Sequence, residues 1–326
     1  MQDPERAAAQ PTAPGRGQAR TVAFLGLGHM GLPMARNLVA AGHDVIGFDP
    51  VPAAREAAAG SGIRLADAAA EAVHDVDVVL TMLPGGRQVL DAYAGADGRA
   101  GLLGAARPGT MFLDCSTIAV DEAREAHRLA REAGHRAADA PVSGGVVGAE
   151  AGTLAFMVGA EDADFEDLEP LLQTMGRRIV HCGGPGLGQA AKVCNNMILG
   201  VTQIVVAEAF VLGEGLGLSH EALYEVASNA SGQCWALTTN CPVPGPVPTS
   251  PANNDYRPGF AGALMAKDLG LAAQAIALTG THARLGSLAR EIYAAYADGP
   301  GASRDFSGII ETIRDASGSV VTEGAS

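Results

Sequence analysis

The chain reads as an α/β domain followed by an all-helical one, and three observations predict that division. Short β-branched and apolar runs alternate with helical patterns from Thr21 to His181. A cluster of glycines at 183, 184, 186 and 188 then interrupts the chain, and beyond it the strand signal disappears. The length of 326 residues has room for two domains at ~150 residues each, and a 48% hydrophobic composition can fill both cores.

The first strand is expected at Thr21 to Leu25, TVAFL. It runs into Gly26-Leu27-Gly28-His29-Met30-Gly31 and then a helical pattern through Ala41. Strand, G-x-G-x-x-G and helix in that order form a dinucleotide-binding turn. Gly26 permits the tight bend, Gly28 lets backbone approach a pyrophosphate, Gly31 lets the helix close on the strand, and the helix N-terminus faces the phosphates. The second strand, Val45 to Phe48, ends at Asp49, an acidic residue placed to accept ribose hydroxyls and repel a 2'-phosphate. The α/β part is therefore a Rossmann-type doubly wound domain with NAD as its cofactor.

Alternation continues with a strand at Ile63 to Leu65, a helix near Asp67 to Val73 and a strand over Val76 to Leu83 that Pro84 stops. Leu83 and Pro84 either line the cofactor crevice, as loops at carboxyl ends of parallel strands do, or form a plain strand-to-helix turn. Met111 to Asp114 is the next strand. Ser116 and Thr117 follow it as helix caps or ligand donors, capping being the commoner role, before a helix over Asp121 to Ala133. In Asp139 to Gly148, DAPVSGGVVG, the run Ser143-Gly144-Gly145 offers a hydroxyl and unencumbered amides that can cradle a carboxylate. The sheet resumes over Gly152 to Val158, a helix spans Asp162 to Met175, and the last strand is Arg178 to His181.

Helices are expected at about 189–214, 219–229, 260–278, 283–297 and 305–315. Between them Cys241 to Gly259 carries six prolines and follows closely on Trp235, the only tryptophan. A loop of this length inside a compact domain is usually functional, so it is expected to be ordered and near the site. The division is thus a disordered tail at 1–20, an NAD domain at 21–184, a helical substrate and dimerisation domain at 185–316, and a tail at 317–326.

Formal charge is -14, which sets nucleic acid and anionic membrane surfaces aside as partners. Five cysteines without a C-x-x-C pair point to a reducing compartment and no metal. The first twenty residues lack the apolar run of a secretory signal, so a cytoplasmic protein is expected. Met197 to Leu212 is broken by Thr202, Gln203 and Glu208, and is expected as a buried helix between domains or subunits of a homodimer or homotetramer.

Of the 22 Lys and Arg residues only Lys192 and Lys267 are lysine. A lysine ammonium is compact and can lose its proton where Arg cannot. Lys192 and Asn196, four apart, share one helix face and can reach one ligand. Lys192 is either an ordinary helix residue or a proton donor.

GLGHMG with Asp49, TMLP, DCST, DAPVSGG followed by GTLAFMVG, GLGQAAKVCNN and MAKDLGLA occur in that order. Together they resemble the β-hydroxyacid dehydrogenases from Thr21 to about Asp315. SGQCWAL, NCPVPG, SPANND and RPGF resemble the branch acting on 3-hydroxyisobutyrate. The resemblance implies Lys192 as the catalytic acid and base, Asn196 as its partner on the substrate, and Ser143, Gly144 and Gly145 as the carboxylate site. It puts Trp235, Phe260 and Asp268 near the substrate, and Leu83, Pro84, Thr117 and Lys267 against NAD beside the glycine turn. Gln88 stands where relatives carry Asn, and Ala119-Val120 where they often carry Asp and Pro. Sister enzymes reducing tartronate or succinate semialdehyde share these motifs, and a non-catalytic NAD-binding protein is the alternative from another class.

Overall fold

The computed structural model describes residues 18–96 and 101–323, with side chains to 318. The expected N-terminal tail lies outside the described residues as far as residue 17. Arg20 belongs to the fold, because its guanidinium donates to the Asp167 carbonyl at 2.8 Å and pairs with that carboxylate.

Among the described residues, nine strands form one sheet: β1 Thr21–Leu25, β2 Asp44–Phe48, β3 Arg64–Leu65, β4 Val78–Thr81, β5 Met111–Asp114, β6 Arg136–Asp139, β7 Val142–Ser143, β8 Leu154–Gly159 and β9 Gly176–Gly183. They lie in the order β3-β2-β1-β4-β5-β6-β8-β7, with β9 beside β8. The pairs from β3 to β6 are all parallel, whereas β8 runs antiparallel to β6 and β7. The order 3-2-1-4-5-6 is the doubly wound one, and it places a crevice beyond the carboxyl ends of β1 and β4, where the order reverses. Strands covered on both faces must be apolar on both, and Val22, Ala23 and Phe24 of β1 are all 0% exposed. One apolar cluster around Phe24, Met34 and Phe156 fills one face, and another around Tyr93 and Phe112 fills the other.

Sequence periodicity misses β6, β7 and, in the α/β domain, the helices Pro52–Ala58, Gly86–Ala94, Leu102–Ala105 and Gly145–Ala151. Arg136–Asp139 reads RAAD and carries no β-branched residue, so its strand conformation is imposed by the neighbouring β5. The capping role expected for Ser116 and Thr117 is also corrected. The helix starts at Val120, and the Ala119 amide donates to Glu122 Oε2 at 2.9 Å.

The long helix Leu187–Gly215 begins against the sheet and ends in the second domain. A Cβ at Gly188 would lie 2.2 Å from the Met157 carbonyl, so only glycine lets the helix meet β8 this closely. The helix is long and apolar enough to cross a membrane by length and composition alone. It packs against the helices Gly262–Thr279, Arg284–Ala297 and Ile309–Glu323 instead, and Phe210, Met265, Tyr293 and Ile310 are buried in their shared core. Ile309–Glu323 runs past Asp315, where sequence places its end, so the expected tail from 317 is helical as far as described.

Candidate active site

The glycine turn is built as its chemistry requires. Gly26 has φ +97°, and a Cβ there would sit 2.3 Å from the Met82 carbonyl. A Cβ at Gly28 would meet nothing within 4 Å, leaving open space over the turn, and one at Gly31 would strike the Gly26 carbonyl at 1.9 Å. Gly28 and His29 are exposed at the lip. Leu27 and Met30 do not offer their side chains to this space: both pack into the core below, and Leu27 serves through its amide, which donates to Asp49 Oδ2 at 2.8 Å. Asp49 Oδ1 accepts from Val51 N at 2.8 Å, so the carboxylate is fixed by two backbone amides and keeps a lone pair on each oxygen. An open glycine cradle beside an oriented carboxylate fits a dinucleotide.

Leu83 and Pro84 follow β4 at the switch point, and Leu83 N donates to Ser116 Oγ at 2.8 Å. Ser116 in turn donates to Asp114 Oδ1 at 2.6 Å, as Thr81 does at 2.7 Å. Burial pushes the Asp114 carboxyl up to about 6, against the hydrogen bonds from Ser116 and Thr81. The fold thus spends a buried acid on holding the Leu83 loop. Gln88 is exposed in the first turn of Gly86–Ala94, its Oε1 turned back toward Gly85.

Lys192 lies in the second turn of the long helix and is 7% exposed. Its Nζ donates to the Val142 carbonyl at 2.9 Å, immediately before Ser143-Gly144-Gly145. Gly144 and Gly145 have φ of +130° and +60°, turning the backbone sharply there, and Ser143 is half-buried. Asn196 is 2% exposed on the same helix face, and its Nδ2 donates to Asp268 Oδ2. Burial lowers the Lys192 ammonium below the ordinary lysine value; Asp268 opposes this and Lys267 adds to it. Burial raises the Asp268 carboxyl, while Lys192, Lys267 and the Asn196 hydrogen bond oppose it. Lys267 Nζ donates to the carbonyls of Pro84 and Thr117, each at 2.8 Å, and so joins the helical domain to the edge of the cofactor crevice.

The structure brings together Lys192, Asn196, Asp268, Lys267, Pro84 and Thr117, with Ser143 next to the carbonyl that Lys192 holds. The Pro-rich segment is ordered and reaches this group at its end, since a Cβ at Gly145 would lie 3.3 Å from the Gly259 carbonyl. Phe260 follows and stacks edge-on with Phe306 at 5.7 Å. Trp235 is 51% exposed, and its carbonyl accepts from the backbone amides of Thr239 at 2.9 Å and Asn240 at 3.2 Å. Among the described residues, no three His, Cys, Asp or Glu side chains gather as metal ligands.

Two residues that sequence reasoning passes over organise the site. Asp139, 1% exposed at the end of β6, accepts from Gly186 N at 2.7 Å and Gln189 N at 2.8 Å, capping the helix that carries Lys192. Gln189 then donates to the Ser116 carbonyl at 2.7 Å and accepts from Ile118 N at 3.2 Å. The only sequence signal was an acidic residue four positions before the Ser-Gly-Gly run.

Comparison with known proteins agrees with this geometry. Residues 21–184 match the family described as the NAD binding domain of 6-phosphogluconate dehydrogenase, and residues 186–313 match the NAD-binding family of NADP-dependent 3-hydroxyisobutyrate dehydrogenase. A probable 3-hydroxyisobutyrate dehydrogenase of Mycobacterium tuberculosis is 57% identical over 294 residues, covering 90% of this chain and 98% of that one. An NAD-dependent L-serine dehydrogenase of Pseudomonas aeruginosa is 46% identical over 91% of this chain and 98% of its own length. The solved structure of Mycobacterium tuberculosis 3-hydroxyisobutyrate dehydrogenase with L-serine superposes with a TM-score of 0.88 at 56% identity, covering 91% of this chain and all of that one. With its glycine cradle, buried lysine and full-length relatives in agreement, the chain belongs to the 3-hydroxyisobutyrate dehydrogenase family of NAD-dependent oxidoreductases.

Proposed function

We propose that the protein oxidises (S)-3-hydroxyisobutyrate to methylmalonate semialdehyde, a step of valine breakdown, with residues 21–184 holding NAD and residues 185–316 supplying Lys192 and the subunit contacts. The observation that carries this reading is a buried Lys192 ammonium hydrogen-bonded beside Ser143-Gly144-Gly145 and facing Asn196 and Asp268. The substrate carboxylate rests on the Ser143-Gly144-Gly145 turn, and its hydroxyl lies between Lys192 and Asn196. Neutral Lys192 takes the hydroxyl proton as the alcohol carbon loses its hydride; in reduction the ammonium returns that proton to the carbonyl oxygen. NAD, when bound, supplies the hydride acceptor. Asp268 holds the Asn196 amide, leaving its second N–H for the substrate oxygen. Gly26 to Gly31, Leu83, Pro84, Thr117 and Lys267 border the cofactor, and Asp49 favours NAD because a 2'-phosphate beside its carboxylate is repelled.

L-serine is the second reading, favoured by the relative named for it and by the serine-containing structure. It shares the carboxylate and the hydroxymethyl carbon and differs by an ammonium in place of a methyl group. Initial rates at about pH 9, where a lysine base is partly neutral, with (S)-3-hydroxyisobutyrate, L-serine, glycerate and 4-hydroxybutyrate, each with NAD and NADP, separate the two. The first substrate with NAD should give the highest kcat/KM. Preference for serine moves the assignment to the second reading, and preference for NADP refutes the role given to Asp49.

We further infer a homodimer or homotetramer in the cytoplasm. Ile198, Val205, Leu212 and Leu216 are 61%, 53%, 64% and 77% exposed and recur on one side of the long helix. The five cysteines are unpaired, which suits a reducing compartment. A monomeric mass by sedimentation would refute the assembly.

A further inference from the structure

The Pro-rich segment between Trp235 and the helix Gly262–Thr279 is fastened at both of its ends by one residue. Asp305, 1% exposed, receives five donors. Its Oδ2 accepts from Gly259 N at 3.0 Å and Phe260 N at 3.1 Å. Its Oδ1 accepts from Asn240 Nδ2 at 3.2 Å, Ser307 N at 3.0 Å and Ser307 Oγ at 2.7 Å. The Asp305 backbone adds to this, donating to the Tyr256 carbonyl at 2.8 Å and accepting from Tyr296 Oη at 3.0 Å. Asn240 and Gly259 are thus the two mouths of one loop, and a single buried carboxylate closes both. Within the loop, Tyr256 Oη donates to the Pro242 carbonyl at 2.8 Å and Asn253 bridges Gly245 and Val247, so the segment has little freedom once its mouths are shut.

The Gly259 mouth leads to the site. Gly259 places its carbonyl against Gly145, Phe260 follows it, and the next helix begins at Gly262 and carries Lys267 and Asp268. Asn240 holds the turn that bears Trp235. We infer that Asp305 is a positioning residue of the reaction: by gathering the amides of Gly259 and Phe260 and the Asn240 side chain, it sets the wall of the substrate site and the first turn of the helix bearing Asp268. It touches neither substrate nor cofactor. A carboxylate is required because all five groups facing it are donors and only an acceptor with two oxygens can serve them.

This inference rests on the hydroxyacid reading of the site, and the experiment separates the two. Asp305→Asn replaces one acceptor oxygen by a donor facing donors. Ser307→Ala removes one donor and leaves the bonds to Gly259, Phe260 and Asn240 in place. KM and kcat for the hydroxyacid, NADH affinity by fluorescence, and amide hydrogen exchange of the segment around residues 257–262 are measured for both variants and the wild type. Asp305→Asn should lower kcat/KM by roughly 10- to 100-fold, mostly through KM, from one uncompensated buried polar group, with NADH affinity kept and Gly259 and Phe260 newly exchanging. Ser307→Ala should keep its KM. A wild-type KM in folded Asp305→Asn, or an equal rise in Ser307→Ala, overturns the inference. If Asp305→Asn does not fold, the wild type decides: Gly259 and Phe260 amides exchanging as fast as an open loop overturn it, and protection upholds it. A wild type inert on every hydroxyacid refutes the substrate reading alone, and the exchange results then judge Asp305.

Discussion

Replacing Asp139 by Asn tests whether the sheet holds the helix that carries Lys192. Asp139 gives one oxygen to Gly186 N and the other to Gln189 N, at 2.7 and 2.8 Å, and His127 Nε2 stands 3.2 Å from Oδ1. These amides belong to the first turn of a 29-residue helix and have no intrahelical partner. An Asn can accept from one of them and must present its NH2 to the other. One buried unsatisfied group costs ~1–3 kcal/mol, and loss of a negative charge at a helix N-terminus adds ~0.3–1 kcal/mol, so about 2–4 kcal/mol of stability should disappear. Urea unfolding should show a lower midpoint with an unchanged slope. The functional loss has a separate origin. Lys192 sits in the second turn of this helix, and a reacting group misplaced by about 1 Å can lose ~100-fold in rate. The variant should therefore lose kcat by roughly that factor while its NADH affinity, set by β1, β2 and the glycine turn, stays near normal. A folded Asp139→Asn protein with wild-type kcat would show that the Val142 carbonyl alone positions Lys192, and the capping argument would fail.

The remaining predictions concern the proton. Lys192→Arg should bind NADH normally and lose nearly all turnover, because guanidinium does not give up its proton at working pH; near-normal kcat would remove Lys192 from the chemistry. The pH profile follows from the lowered Lys192 value. Oxidation needs the neutral amine, so its rate should climb with pH and level off below 10.5, the ordinary lysine value, while reduction should fall over the same interval. A flat profile for oxidation across that interval would refute Lys192 as the base. The stability sign is consistent: the folded state carries a buried ammonium at a cost below the lowered value, and this cost vanishes as pH rises through it toward 10.5.

The legible parts of this protein are those whose physics is local. Gly26, Gly28 and Gly31 declare a tight turn within six residues, Asp49 follows a strand of apolar alternation, and Lys192 and Asn196 share a face through helical spacing alone. What escapes the sequence depends on partners far along the chain. Asp139 acquires its role from Gly186 and Gln189, 47 and 50 residues on, and Asp305 from Asn240, Gly259 and Phe260, 65, 46 and 45 residues back. Nothing beside a buried aspartate announces which amides will surround it. β6 was hidden for the complementary reason: RAAD has no strand propensity of its own and takes its conformation from the adjacent β5.

The two lysines acquire a common meaning in the folded chain. Lys192 reaches the Val142 carbonyl, and Lys267 reaches those of Pro84 and Thr117, so each ammonium leaves a helix and ends on backbone at the carboxyl edge of the sheet. Carbonyls in such a crevice offer separate acceptors from divergent directions. A compact cation with three rotatable donors can satisfy them, whereas a planar guanidinium is shaped for carboxylates and phosphates. The geometry thus explains lysine at 267 without invoking chemistry there, and it separates the two positions. Lys267 has two carbonyl partners 2.8 Å away and is half-buried, which suits a fixed tie between domains. Lys192 has one such partner, is 7% exposed, and faces Asn196 and Asp268, which leaves two of its donor directions for a substrate oxygen. Only the second arrangement lets an ammonium both hold an oxygen and hand over its proton, which is why we propose 192 and not 267 for the acid and base.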